Sequence, residues 1–105
     1  MSKYARKVDT NQADVISWYE GLGYDVINTS KMGDGFVDLI AVKLVQHYLP
    51  GIDEYYDEWS KIFVEVKRSK YAQYTQAQKE FNERFPGLAV RVETFEDVKR
   101  SVQDA

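Results

Sequence analysis

A chain of 105 residues is long enough for one packed core and too short for two, and with no cysteine it excludes disulfides and thiolate metal sites. No apolar run reaches bilayer length and nothing resembles a signal peptide, so a single soluble domain in a reducing cytoplasm is expected. The net charge of −3 hides a split: Phe63 to Arg84 carries Lys67, Arg68, Lys70, Lys79 and Arg84 against Glu65, Glu80 and Glu83, whereas Leu44 to Lys61 carries Asp53, Glu54, Asp57 and Glu58 against Lys61 alone.

In chain order, Met1 to Val8 reads as a basic arm with Lys3, Arg6 and Lys7. A helix follows over "DTNQADVISWYEGLG". Val15, Ile16, Tyr19 and Leu22 recur at helical spacing, Asp9 and Gln12 match a capping box, and Gly21 and Gly23 stop the helix. "YDVINTS" alternates as a strand should, and "KMGDG" is a glycine-rich turn. "FVDLIAVK" is then a strand with Val37, Leu39 and Ala41 on one face and Phe36, Asp38, Ile40 and Val42 on the other. Both faces are largely apolar, which suits a central strand covered on both sides.

Residues 44–61 read as an inserted acidic and aromatic connection, irregular, turning at Pro50-Gly51 and holding the lone His47 in an exposed loop. It could be a packed flap, a determinant of substrate choice, or a dimer contact through Tyr48, Tyr55, Tyr56 and Trp59. "KIFVEVK" is the next strand, with Ile62, Val64 and Val66 opposite Phe63, Glu65 and Lys67. Thr75 with Gln78 gives a second capping box ahead of a helix bearing Ala77, Phe81 and Phe85, which Pro86-Gly87 ends. "LAVRV" is a short strand, and Thr94 caps a last helix carrying Phe95, Val98 and Val102. The element order is α-β-β-β-α-β-α.

Asp38 and Glu65 are the anomalies, each an acid set among apolar strand residues, with Lys67 two residues after Glu65. Paired strands lie about 4.8 Å apart, so in-register pairing brings both carboxylates and the ammonium to one patch. Two like charges about 4 Å apart repel by about 4 kcal/mol at an effective dielectric near 20. A cation, or protonation of one acid, must relieve that. The residues alone leave two readings open: an Mg²⁺-type site of oxygen ligands, waters and phosphate, or an inert buried ion pair that holds register.

The pattern "GFVDL", a spacer, "IFVEVK" and then "YTQAQKEF" resembles the PD-(D/E)XK nuclease superfamily, and within it the stand-alone VRR-NUC nucleases of phages and bacteria. The likeness runs over nearly the whole chain, taking in "RKVDTNQADVISWYEGLGYDV" and "LAVRVETFEDVKRSV". It implies a restriction-endonuclease-like α/β fold, a three-layer core with a mixed central sheet flanked by helices. It also implies a metal-dependent endonuclease using Mg²⁺ or Mn²⁺, homodimeric, acting on branched DNA such as Holliday junctions or flaps. Under it Asp38, Glu65 and the carbonyl of Val66 would be metal ligands and Lys67 would orient the attacking water or stabilise developing charge. Gln78 would touch the phosphate backbone or water network in addition to capping its helix. Many relatives carry an acid on the first helix; Asp9, Asn11, Gln12 and Asp14 are the candidates here, with Gln12 preferred on the inward face.

Around this trio, Arg68, Lys70, Lys79 and Arg84 interleave with Tyr71 and Tyr74. Arg68 and Lys70 directly follow Lys67 and are the expected phosphate contacts, with the tyrosines available to stack on bases; a solvated loop is the plainer alternative. Rival functions are a non-catalytic nucleic-acid-binding module that keeps the fold and an accessory interaction protein in which the trio is an ion pair.

Overall fold

The computed structural model describes residues 3–33, 35–69 and 71–105, apart from the side chains of residues 3–10. Its elements are α1 (Lys3–Gly21), β1 (Asp25–Asn28), β2 (Leu39–Leu49), β3 (Glu54–Val66), α2 (Gln76–Arg84), β4 (Ala89–Val92) and α3 (Phe95–Asp104). That is the expected order. The four strands form one sheet in the order β1-β2-β3-β4, antiparallel except for the parallel β3/β4 pair. A parallel neighbour needs a crossover, and α2 supplies it.

Four expectations are corrected. The basic arm is not separate from the first helix: residues 3–8 belong to α1, while Met1 and Ser2 lie outside the described residues. Asp9 therefore sits inside the helix and does not form its N-cap. The supposed irregular connection 44–61 is mostly strand, with Leu39 to Leu49 pairing continuously against Glu54 to Val64 around a turn at residues 50–53. Val45, Tyr48, Tyr55, Tyr56 and Trp59 are strand-favouring residue types, and cross-strand ring pairs support the ribbon: His47 stacks on Tyr56 at 5.0 Å, and Tyr48 meets Tyr55 at 5.0 Å. His47 is thus a half-buried strand residue, not an exposed loop histidine.

The core lies between one face of the sheet and helices α1 and α3. Val15, Tyr19, Leu39, Ala41, Val64, Val92 and Val98 are buried there together with Tyr24 and Ile62. Burying a tyrosine requires a partner for its hydroxyl. Ser101 Oγ donates to the Val98 carbonyl at 2.7 Å, leaving an oxygen lone pair for the Tyr19 hydroxyl at 2.6 Å. This bond links the first helix to the last.

The second face of the sheet has its own apolar layer. Phe63 meets Phe36, and Phe36 in turn meets Phe81 of α2, with centroid separations of 6.4 and 5.8 Å in edge-to-face geometry. The sheet thus carries α1 and α3 on one side and α2 on the other. The Thr75–Gln78 capping box forms as expected on α2, and Thr94 caps α3, where Asp97 completes a capping box that the sequence reading did not include.

Candidate active site

The candidate residues gather where β2 begins and β3 ends. Asp38 immediately precedes β2 and is held by its backbone on both sides. Its N–H donates to the Val64 carbonyl at 3.0 Å, and its carbonyl accepts from the Thr29 N–H at 2.9 Å. Thr29, buried at the end of β1, fixes the same turn by donating its hydroxyl to the Val37 carbonyl at 2.6 Å. With the main chain pinned, the Asp38 carboxylate reaches over β3, and Oδ2 accepts the Val66 N–H at 2.8 Å. Burial is the main influence on this carboxyl and raises its pKa; the Val66 hydrogen bond and the Lys67 charge oppose it.

Glu65 is the most unusual group in the fold. It is 1% exposed, and neither carboxylate oxygen has a hydrogen-bond partner of good geometry. Burial dominates and raises its pKa. The Asn82 amide and the charges of Lys67 and Arg91 pull it down, and Asp38 pushes it up. A buried carboxylate without a well-formed hydrogen bond is expensive, and here burial outweighs the Asn82 amide and the nearby cations.

Lys67 is positioned from three elements. Its N–H donates to Val92 of β4 at 2.9 Å and its carbonyl accepts from Asn11 of α1 at 3.0 Å. Its ammonium donates to Gln78 Oε1 at 2.7 Å. The same Gln78 oxygen accepts the Thr75 N–H at 3.0 Å, so the cap of α2 and the anchor of Lys67 are one atom. Gln78 therefore performs its expected capping role and also holds Lys67 in place. Gln78→Ala is expected to cost about 1 kcal/mol, the usual worth of a cap, which urea denaturation would measure; no loss of stability would separate the two roles.

A cleft of about 280 Å³ opens here, lined by Asn11, Gln12, Asp38, Val66, Lys67, Arg68 and Ala72. Five residues of the expected site line it: Gln12, Asp38, Val66, Lys67 and Arg68. Glu65 does not; it is sealed behind the cleft, close enough to Asp38 and Lys67 for their charges to act on it. Gln12 lines the cleft, and its amide donates to Asn28 Oδ1 at 3.3 Å. Asn11, ranked behind Gln12 on the sequence, is the residue that contacts Lys67. Among the described residues no cluster of three or more His, Cys, Asp or Glu side chains could hold a metal. Two carboxylates would need a carbonyl, water and substrate oxygens beside them, the coordination Mg²⁺ favours.

The nucleic-acid candidates separate. Arg68 is exposed at the cleft, and Tyr71 is 79% exposed beyond it. Lys79 is exposed on α2 and does not line the cleft, and Lys70 lies outside the described residues. Tyr74 already has two cations at its ring, Lys67 Nζ at 5.3 Å and Arg91 Cζ at 5.2 Å from the centroid. It packs the loop and is not a bare stacking platform. Arg91, which sequence reasoning missed, also donates to the carbonyls of Ser69 and Ala72, at 2.9 Å to Ser69. It ties the segment after Lys67 to β4; nothing in "LAVRV" marks that long-range role.

Comparison of the chain with protein-family models, with characterised proteins and with solved structures finds no match. Among the described residues no helix is long and apolar enough to cross a membrane.

Proposed function

We propose that this chain is a metal-dependent endodeoxyribonuclease of PD-(D/E)XK type, with a restriction-endonuclease-like fold, hydrolysing phosphodiesters in branched DNA. The observation that carries the reading is the buried Glu65 carboxylate, which has no well-formed hydrogen bond, feels the charges of Asp38 and Lys67, and directly precedes the cleft-lining Val66 and Lys67. Its two orphaned oxygens fit a divalent cation, because an inert structural carboxylate would have been given hydrogen bonds. Asp38, Glu65 and the Val66 carbonyl would hold Mg²⁺ or Mn²⁺. The ion supplies Lewis-acid stabilisation of charge on a phosphoryl group.

The protein's own groups supply the rest. Lys67 places an ammonium beside the cleft, fixed by Gln78 so that it need not reorganise as negative charge develops on phosphate oxygen. Asn11 and Gln12 offer amide groups on the α1 side for ordering water or a sugar–phosphate backbone. Arg68, with Tyr71 outside it, lies where the flanking strand would run. Two such sites on a two-fold axis would match a two-fold-symmetric junction.

The test is incubation of purified protein with nicked, flapped, four-way and linear DNA, with and without Mn²⁺. Metal-dependent cutting is expected, abolished by Asp38→Asn, by Glu65→Gln and by Lys67→Ala while circular dichroism shows each variant folded. Cutting that survives Glu65→Gln would locate the chemistry elsewhere. DNA binding without cutting by the wild type would favour a non-catalytic module.

A further inference from the structure

Beyond Val42 and Lys61 the β2/β3 ribbon leaves the body of the molecule, which is 59 Å long against 30 and 23 Å across. Since β4 pairs only with residues 63–66 of β3, the edge of β3 from Glu54 to Ile62 has no neighbouring strand among the described residues. The ladder fixes which backbone groups lie on that edge. The Asp38 carbonyl accepts from Thr29 on the β1 side, which turns even-numbered residues of β2 toward β1 and odd-numbered ones toward β3. Odd residues of β2 sit opposite even residues of β3, so the odd residues of β3 point outward. Lys67, whose N–H bonds to Val92 of β4, has the same parity. The N–H and C=O groups of Tyr55, Asp57 and Trp59 therefore lie along an open edge, and such edges invite pairing with another chain.

The side chains along the edge decide what fits it. Residues 44–60 hold four acids, Asp53, Glu54, Asp57 and Glu58, and no lysine or arginine. Every one of these acids lies on β3 or in the turn before it. Among the described residues Glu54, Asp57 and Glu58 have no salt bridge. Asp57 stands between Tyr55 and Trp59 on one face, and these rings are 63 and 57% exposed. A cleft of about 480 Å³ adjoins the edge at Glu58, Trp59 and Ser60, with Val102 of α3 in its wall, and leaves room for incoming side chains. We propose that this edge takes up an extended, lysine- or arginine-rich segment of another protein as an added strand, its cations set against the acids and over the two rings. Backbone hydrogen bonds supply the attachment, and the acids and rings supply selectivity for cations. Charge excludes the rivals. The acids repel the phosphates of DNA and of anionic lipid. A second copy paired edge to edge would bring its acids against those of the first. Acids by themselves blunt an edge against aggregation, but that role does not account for two exposed aromatic side chains beside them. Such strand addition does not rest on the chemistry proposed for the cleft at Asp38 and Lys67.

The probe is a synthetic peptide of alternating lysine and threonine, long enough to span Glu54 to Ser60, added to the isotope-labelled full chain. Hydrogen exchange read by nuclear magnetic resonance should show protection gained at the outward amides of Tyr55, Asp57 and Trp59. The amides of Tyr56 and Glu58, which face β2 already, should change little. Asp57→Lys should weaken binding at least about tenfold, because it removes an attraction and adds a repulsion. Its side chain is exposed, so the far-ultraviolet circular dichroism should not change. The same peptide methylated on every backbone nitrogen keeps its charge but cannot donate to the edge, and should not bind. That comparison uses the wild type and so holds should Asp57→Lys fail to fold. Absence of binding by the lysine peptide, equal binding of the methylated peptide, or protection on the edge of β2 instead would each overturn the proposal. So would protection of the same amides by self-association without peptide, which would give the edge to a second copy, or by four-way DNA, which would give it to nucleic acid.

Discussion

Glu65→Gln should make the metal-free protein more stable than the wild type at neutral pH while removing its response to divalent cations. The reason is the carboxylate's position, 1% exposed with neither oxygen in a well-formed hydrogen bond. A buried polar group left unsatisfied costs about 1–3 kcal/mol, and more when charged; glutamine keeps the shape without the charge. For a domain of this length, a gain of about 1 kcal/mol corresponds to about 4 °C or more in Tm. The pH dependence follows from the same burial. Glu65 and Asp38 both hold their protons to higher pH in the folded state than in the unfolded chain. Their contribution to metal-free stability is therefore greatest below the ordinary carboxyl range and is lost as pH rises through the unfolded-state value toward the folded one. Mn²⁺ should restore the loss in wild type, since a ligand that binds only the folded state stabilises it by mass action, and should do nothing for Glu65→Gln. Differential scanning fluorimetry from pH 5 to pH 8, with and without Mn²⁺, reads each of these effects. Equal Tm values for wild type and Glu65→Gln without metal at pH 8 would mean that the carboxylate is satisfied in solution, and the main support for a cation site would go.

Gly35→Ala should cost about 2–4 kcal/mol, combining left-handed backbone strain with overpacking. Gly35 has φ of +74°, and a Cβ there would lie 2.8 Å from the Gln78 amide nitrogen and closer still to the Ala77 carbonyl. These are backbone atoms of the first turn of α2, which cannot swing aside as a side-chain tip can. The helix would have to shift, and it carries the Gln78 oxygen that holds Lys67. The proposed DNA cutting should fall with stability as a result. By contrast, Gly33 has positive φ but an added Cβ there meets nothing, so Gly33→Ala should cost about 1 kcal/mol from the backbone alone. Urea denaturation of the two variants separates the effects. Equal losses would show that the approach of this loop to α2 is not tight.

Much of this architecture is written locally. The periodicity of "ADVISWYEGLG", the Thr75–Gln78 capping box, the Thr94 cap and the alternation of "FVDLIAV" and "IFVEV" set element types and order, because caps and face patterns depend on residues within a few positions of one another. Asp38 and Glu65 stand out in the sequence for the same reason: an acid in an apolar strand violates the local pattern. The ribbon was legible as well, in "LVQHYL" and "EYYDEW", but its length as a connection and its acidity pointed to an insertion.

Only tertiary packing decided the remainder. That Asp38 clamps the Val66 N–H, that Asn11 rather than Gln12 reaches Lys67, and that Arg91 secures the segment after Lys67 depend on partners 19 to 56 residues apart. The burial of Glu65 behind the cleft belongs to the same class, since desolvation is set by everything that surrounds a group and not by its neighbours in the chain. The sequence by itself determined the order of helices and strands and which two acids are out of place. Which atoms meet at the site, and which apolar face the ribbon leaves bare, emerged only when distant segments packed together, because burial and hydrogen bonding are properties of the assembled fold.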